Sequence, residues 1–171
     1  MRVNRIVCYF TEGPYADEAF RLRRSLDRLK LLYHFERVES VGSWIANVHL
    51  RASFLRRMRK KFPGDVLLSL DADCVVHSNP WKWVPDGACD IAVHKFVRSQ
   101  REIEYLPGTL LLYPTSKTDR LLFAWEAQNK RRPKATDRSN FAVAIRQDVD
   151  LCVGDLPPVM CWIFDLSERA Y

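Results

Sequence analysis

The stretch "DVLLSLDADCVV", residues 65–76, constrains this chain more than any other. Its first half is a continuous apolar run, the composition of a central strand covered on both faces. That run leads straight into two aspartates, Asp71 and Asp73. Carboxylates at the mouth of a buried strand are costly unless a cation, a proton or a set of donors compensates them. The chain must therefore build helical cover on both sides of this strand and bind something at its end.

The upstream pattern supplies that cover. "RIVCYF" (5–10) predicts a first strand and "TEGP" a turn. Ala19, Leu22, Leu26, Leu29 and Leu32 recur at spacings of three or four, which predicts an amphipathic helix from Tyr15 to Tyr33. "YHFERVE" (33–39) alternates like a half-buried strand. Ser43 is a cap for a second helix that carries Trp44, Val48, Ala52 and Leu55 inward until "FPG" (62–64) stops it. A β-α-β-α-β series predicts parallel strands with helices on both sides. Ligands then sit beyond the carboxyl ends of the strands, where "TEGP" and the aspartate pair share one crevice.

The second half has closer spacing. "CDIAVHKF" (89–96), "EIEYL" (102–106) and "TLLLYP" (109–114) read as strands with some antiparallel pairing. "SKTDRLLFAWEAQN" (116–129) is a helix opened by Ser116, with Asp119 three residues on in a capping-box-like pattern. A shorter helix over 137–146 and final strands near "VDLCVG" and "MCWIFD" complete the series.

No repeat or linker interrupts the 171 residues, so the expectation is one domain over 1–171. No secretory pattern opens the chain and no segment approaches the ~18 apolar residues of a membrane span, which predicts a soluble, cytoplasmic protein without membrane association. Five cysteines, an odd number without a C-x-x-C pair, read as reduced thiols. The net charge of +6 gathers in three clusters: Arg21 to Lys30, "RASFLRRMRKK" (51–61) and "NKRRPK" (129–134). Such clusters favour anionic partners, from nucleotide phosphates to a nucleic-acid backbone. They are also what a solvated helix face looks like.

Side chains two apart on an extended strand project to one face, so Asp71 and Asp73 are expected to converge. Two close carboxylates repel unless a divalent ion neutralises them, and their hard oxygens suit Mg²⁺ or Mn²⁺. The structural alternative has one aspartate capping the following turn and the other in a surface ion pair. "DADCVV" also fits the D-x-D-x-[TV] pattern of haloacid-dehalogenase-type phosphohydrolases, with a nucleophile and a general acid. That motif normally follows a first strand, whereas two strands and two helices precede it here, and no late acidic doublet accompanies it.

A longer series of features resembles the GT-A-fold nucleotide-diphospho-sugar glycosyltransferases, over roughly residues 5–165. "VCYFTEGPYADEAFRLRRSL" resembles their first strand, nucleotide loop with a tyrosine, and helix. "SWIANVHLRASFL" is similar to the helix that carries a Lys or Arg toward the sugar nucleotide, and "VLLSLDADCVVHSNP" to their D-x-D strand. "YLPGTLLLYPTSKTDRLLFAW" resembles the segment with a small-residue turn, "TDRSNFAVAI" the later "D-Q" helix, and "DLPPVMCWIF" a late "L-P" strand. The resemblance implies an α/β fold with a central mixed, mostly parallel sheet flanked by helices, and metal-dependent transfer of a sugar from a nucleoside-diphosphate sugar.

It implies residue roles as well. Thr11 and Tyr15 would contact base and ribose, Arg51 a phosphate, and Gly108 and Thr109 the nucleotide sugar. Asp73 would hold Mn²⁺ or Mg²⁺, with Asp71 helping through metal, water or ribose. Asp137 would act as a base or orient the donor sugar. The sequence departs from the family where Arg138 replaces a glutamine, where "LPGT" lacks an asparagine, and where no histidine follows residue 94 to serve as third ligand, leaving either Asp165 or substrate and water to complete the shell. His77 and His94 read as structural. A short chain implies few acceptor-binding additions, so the acceptor would bring its own shape, as a polymer does. With the basic clusters this points to DNA, for instance a modified base that leaves the stack. The competing class is a catalytically silent basic α/β module that binds nucleic acid.

Overall fold

The computed structural model describes residues 3–85, 89–99 and 102–162. Its elements are β1 (Asn4–Phe10), α1 (Pro14–Arg28), β2 (Tyr33–Arg37), α2 (Trp44–Lys61), β3 (Val66–Leu70), β4 (Ile91–Ser99), β5 (Glu102–Leu112), α3 (Ser116–Arg131), α4 (Asp137–Gln147) and β6 (Val153–Asp155). One sheet holds the strands in the order β2-β1-β3-β5-β4-β6. β1 pairs in parallel with β2 and β3, and β4 with β6, while β5 runs antiparallel to both of its neighbours. This is the mixed, largely parallel α/β sheet that the sequence predicts.

Alternation within the strands divides the core in two. Val7, Leu67, Leu110 and Leu112 face one side, against Phe54 and Leu55 of α2, Leu121 and Trp125 of α3, and Phe141 of α4. Ile6, Cys8, Leu68 and Leu111 face the other, against Ala19, Leu22 and Leu26 of α1. Every residue of β3 is buried, which explains its unbroken apolar run. Among the described residues no helix is long and apolar enough to cross a membrane.

Several boundaries differ from the sequence reading. α1 ends five residues before Tyr33. The N–H of Lys30, at φ +52°, bonds the carbonyl of Asp27, and the N–H of Leu31 reaches back to Leu26 at 3.1 Å, a Schellman closure without the usual glycine. Leu31 consequently packs on the core, whereas Leu32, expected inside, is 46% exposed. Ser43 caps α2 as expected, accepting from the Ala46 N–H, but Trp44 is 59% exposed rather than buried. The cap of α3 is Thr115, whose hydroxyl accepts from the Thr118 N–H. Ser116 is the first helical residue, and Asp119 pairs with Arg59.

The two strands expected over 102–106 and 109–114 are one strand, β5. Its register against β4 jumps from His94↔Leu106 to Val93↔Leu110, so Pro107, Gly108 and Thr109 bulge out of the ladder with β4, where the proline has no N–H to give, while Thr109 still pairs with Leu70 of β3. The strand expected near "VDLCVG" is the three-residue β6. Of "MCWIFD", Met160 ends a turn of 3-10 helix and Cys161 and Trp162 are not in a strand. The remainder, with Asp165, lies outside the described residues.

Candidate active site

Parallel pairing of β1 with β3 brings their carboxyl ends side by side, so Thr11 and Asp71 emerge together. Gly13, at φ +84°, turns the chain into α1, which begins at Pro14. The N-terminal half of α2 forms the opposite wall. The resulting cleft is lined by Phe10, Thr11 and Tyr15, by Trp44, Asn47, Val48 and Arg51 of α2, and by Asp71, Ala72 and Asp73. Both aspartates thus line the same cleft as Thr11. They do so for a different reason than the sequence suggested: β3 stops at Leu70, and Asp71 to Cys74 form a turn closed by the Cys74 N–H on the Asp71 carbonyl at 3.1 Å. The turn, not strand pleating, presents the pair.

Arg51 is 7% exposed and spends its guanidinium on protein acceptors. One terminal nitrogen lies 2.8 Å from an Asp71 carboxylate oxygen, and the other donates to the Pro107 carbonyl at 2.5 Å. Its Nε faces Asp137 Oδ2 at 3.2 Å, an ion contact without hydrogen-bond alignment. Asp137, 5% exposed, opens α4 behind the arginine and does not line the cleft. Its other oxygen takes a bond from Asn129 Nδ2 at 3.4 Å, and its backbone carbonyl accepts from the Trp125 indole at 3.2 Å. Asn140 Nδ2 in turn donates to Asn129 Oδ1 and to the Arg132 carbonyl, at 2.9 and 3.3 Å. A buried polar chain therefore runs from the cleft carboxylate Asp71 to the loop after α3.

The bulge in β5 completes the support. The Asp71 N–H bonds the Gly108 carbonyl at 3.0 Å. A β-carbon at Gly108 would meet Asp71 Oδ2 at 2.8 Å, so only glycine admits the carboxylate in this pose. Thr109 is 3% exposed and bonded to the Cys161 thiol. Gly108 and Thr109, like Asp137, stand behind the lining and not on it.

The electrostatics follow from this crowding. Burial pushes the Asp71 carboxyl up to about 6, against the pull of Arg51 and with Asp73 and Asp137 adding to the rise. One end stays open, since 39% of the side chain faces the cleft. Asp137 also moves up through burial, opposed chiefly by Arg51. For Arg51 burial opposes the charge, yet Asp71 and Asp137 together hold the guanidinium more firmly protonated than usual. Two carboxylates, Asp71 and Asp137, share the Arg51 guanidinium, and with Asp73 lining the cleft beside Asp71 the four side chains carry a formal charge of −2.

None of the five cysteines is in a disulfide. Burial raises the Cys161 thiol to about 11 and moves Cys8 and Cys74 higher still, so none of these three is a thiolate nucleophile. His94 is buried, with Nδ1 2.9 Å from the Leu156 carbonyl, a structural tie. His77 is exposed. Among the described residues no three His, Cys, Asp or Glu side chains are grouped to hold a metal by themselves. The sequence reading missed Trp44 as cleft lining and missed Asn129 and Asn140 altogether. A tryptophan at the first helical position was a signal for the former; nothing local marked the asparagines.

Sheet order, helix placement and a cleft at the ends of β1 and β3 define the fold of the GT-A-like glycosyltransferases. The chain matches a glycosyltransferase involved in the glycosylation of the major capsid of PBCV-1 with a TM-score of 0.71 and 13% identity, over 91% of this chain and 82% of that one. It matches the glycosyltransferase GlyE of Streptococcus pneumoniae TIGR4 with a TM-score of 0.63 and 12% identity, over 92% of this chain and 46% of that one. The apo form of GlyE gives 0.62, again at 12% identity and with the same coverage. The chain thus spans less than half of GlyE. No protein-family model and no curated protein matches the sequence. Identities this low establish the fold and assign no substrate.

Proposed function

We propose that this chain is a transferase that moves a sugar from a nucleoside-diphosphate sugar to an anionic acceptor, with a divalent cation held by Asp71 and Asp73. The observation that carries this reading is the cleft itself: both aspartates, Thr11, Tyr15 and the Arg51 guanidinium line one cavity in a glycosyltransferase fold. The donor set fits Mn²⁺ or Mg²⁺. These ions are held by one or two carboxylates and complete their shells with water and substrate phosphates, so a third protein ligand is not required. An excess charge of −2 with Asp71 pushed upward is what such an ion relieves.

When bound, the cation stabilises negative charge developing on a departing diphosphate. The chain's own residues do the rest. Asp73, exposed in the cleft, is the open ligand. Asp71 is fixed by Arg51 and the Gly108 backbone, with an open end toward ligand. Tyr15, 39% exposed, offers a stacking face to the base, and Thr11 a hydroxyl beside it. Arg51 contributes positive charge at the wall. Asp137, buried and facing Arg51, is in this reading a positioning residue rather than a base on the sugar.

The test is a melting-temperature series with nucleoside diphosphates and their sugars, with and without Mn²⁺. At about 100-fold excess over Kd, a ligand that binds only the folded chain adds about 2.7 kcal/mol, a rise of roughly 5 to 10 °C at this size. One nucleotide should produce that rise only with the metal. A flat response to every nucleotide rejects the reading.

A further inference from the structure

The three basic clusters of the sequence are not equivalent once folded. In the α2 cluster Arg51 belongs to the cleft wall, Arg56 pairs with Glu126, Arg57 with Glu36 and Arg59 with Asp119, and Lys61 lies against His34. On α1, Arg21 pairs with Glu18, Arg23 lies over Tyr33 and Phe35, and Arg28 donates to the Val76 carbonyl. Each of these two clusters is largely consumed by its own fold. In the third, only Lys130 is paired, with Glu126. Arg131, Arg132 and Lys134 are exposed and make no ion pair among the described residues, and no acidic residue occurs between Glu126 and Asp137.

This free cluster is also held in a fixed turn, and its chain leads within three residues to Asp137, behind the Arg51 wall of the cleft. The Ala135 N–H bonds the Arg132 carbonyl at 3.0 Å, closing a turn with Pro133 inside it. The Arg132 N–H bonds the Gln128 carbonyl, the Arg132 carbonyl takes Asn140, and the Ala135 carbonyl is 2.9 Å from His49 Nε2 on α2. Three residues after Lys134 comes Asp137, in contact with Arg51, so the backbone distance from Lys134 to that site residue is at most about 11 Å. A pre-ordered turn loses little freedom when it binds.

We propose that residues 131–134 are a docking surface for the phosphodiester backbone of a single-stranded nucleic acid, which presents the acceptor to the cleft. The inference rests on the transferase reading for the word acceptor only. A chain of regularly spaced phosphates serves three neighbouring cations at once and releases condensed counterions. Two arginine forks beside a lysine suit phosphate oxygens. A membrane surface would call for exposed apolar side chains on the turn, and residues 130–134 carry none beyond Pro133.

The test compares two variants of equal charge change, using a fluorescent 15-nucleotide single strand without metal or sugar nucleotide, so that donor binding plays no part. One carries Arg131→Gln, Arg132→Gln and Lys134→Gln. The other carries Arg24→Gln, Lys60→Gln and Lys82→Gln, exposed cations elsewhere with no ion pair among the described residues. Melting temperature controls for folding in both. The loop variant should bind at least tenfold more weakly, with its salt slope reduced by about 2, since each single-strand phosphate contact contributes about 0.7. The other should change less than twofold. Equal losses, no binding by the unaltered chain at low salt, or polyglutamate competing as well as the oligonucleotide would each overturn the proposal. A nucleotide-plus-Mn²⁺ melting shift that persists alongside such a failure leaves sugar transfer standing and removes only this acceptor.

Discussion

Residues 4–73 and residues 102–140 both reach the cleft, but from opposite sides of its lining. The first group, from the parallel part of the sheet, faces it: Thr11, Tyr15, Trp44, Arg51, Asp71 and Asp73. The second, from the antiparallel part and the helices after it, stands behind: the Pro107 carbonyl, Gly108, and Asp137 with Asn129. The open groups have polar atoms to spare, and the buried groups bond mainly to one another, with Asp137 Oδ2 facing Arg51 as an ion contact alone. Under the proposed function, chemistry and positioning are therefore separated by one layer of protein, with Arg51 as the residue common to both.

That separation is most sharply broken by comparing Asp73→Ala with Asp137→Ala. Asp73 is exposed and buries nothing, so its loss should leave unfolding free energy within about 0.5 kcal/mol. Sugar transfer should nevertheless fall by about a thousandfold or more, the equivalent of the several kcal/mol of charge stabilisation a metal supplies. Asp137→Ala leaves Arg51 buried with one carboxylate fewer, and should cost about 3 to 5 kcal/mol in urea unfolding. If Asp137→Ala folds as stably as the parent while Asp73→Ala does not, the two layers have been assigned the wrong way round.

Gly108→Ala sharpens the comparison because it touches the open layer from behind. The new methyl would lie 2.8 Å from Asp71 Oδ2, while the other oxygen is held by Arg51. The carboxylate must swing away. Metal-dependent nucleotide affinity should drop about tenfold to a hundredfold, roughly 1.4 to 2.8 kcal/mol, by calorimetric titration. Nucleotide affinity without metal should barely change; an equal loss there would mean that Gly108 shapes the base pocket instead.

The same two layers explain what was legible in the sequence. Periodicity located the parallel half well, because each of its strands and helices repeats a simple burial pattern, and the apolar run ending in aspartates marked the cleft. Termination was harder. α1 stops at a Schellman turn built on Lys30, where no glycine or proline announces it. β5 was divided at Pro107 because a local reading treats proline as an end, whereas β4 pairs with it on both sides of the bulge and β3 takes up its C-terminal half from Thr109 on. Trp44 looked like core because an apolar residue at the start of a helix does, and only the cleft opposite accounts for its exposure. The Asp137, Asn129 and Asn140 network depends on contacts between α2, α3 and α4 that no local spacing encodes.

The smallest expected effect is on pH dependence, and its sign separates the empty cleft from the filled one. The Asp71 carboxyl is raised from 3.8 to about 6 in the folded chain, mainly by burial. Between those values the folded state holds a proton that the unfolded state has released. The associated stability is therefore present below about pH 4 and is lost as pH rises through 6. With 39% of the side chain open to the cleft, solvent keeps this trend shallow. Metal binding needs the opposite, an ionised carboxylate, so nucleotide affinity in Mn²⁺ should be about tenfold weaker at pH 5 than at pH 7 and level above that. Melting temperature without ligand should thus drift down from pH 4 to 7 while the Mn²⁺-nucleotide shift grows, and Asp71→Asn should flatten the first trend and abolish the second. A ligand shift that instead shrinks as pH rises would place the titrating group on something other than the metal-facing aspartate.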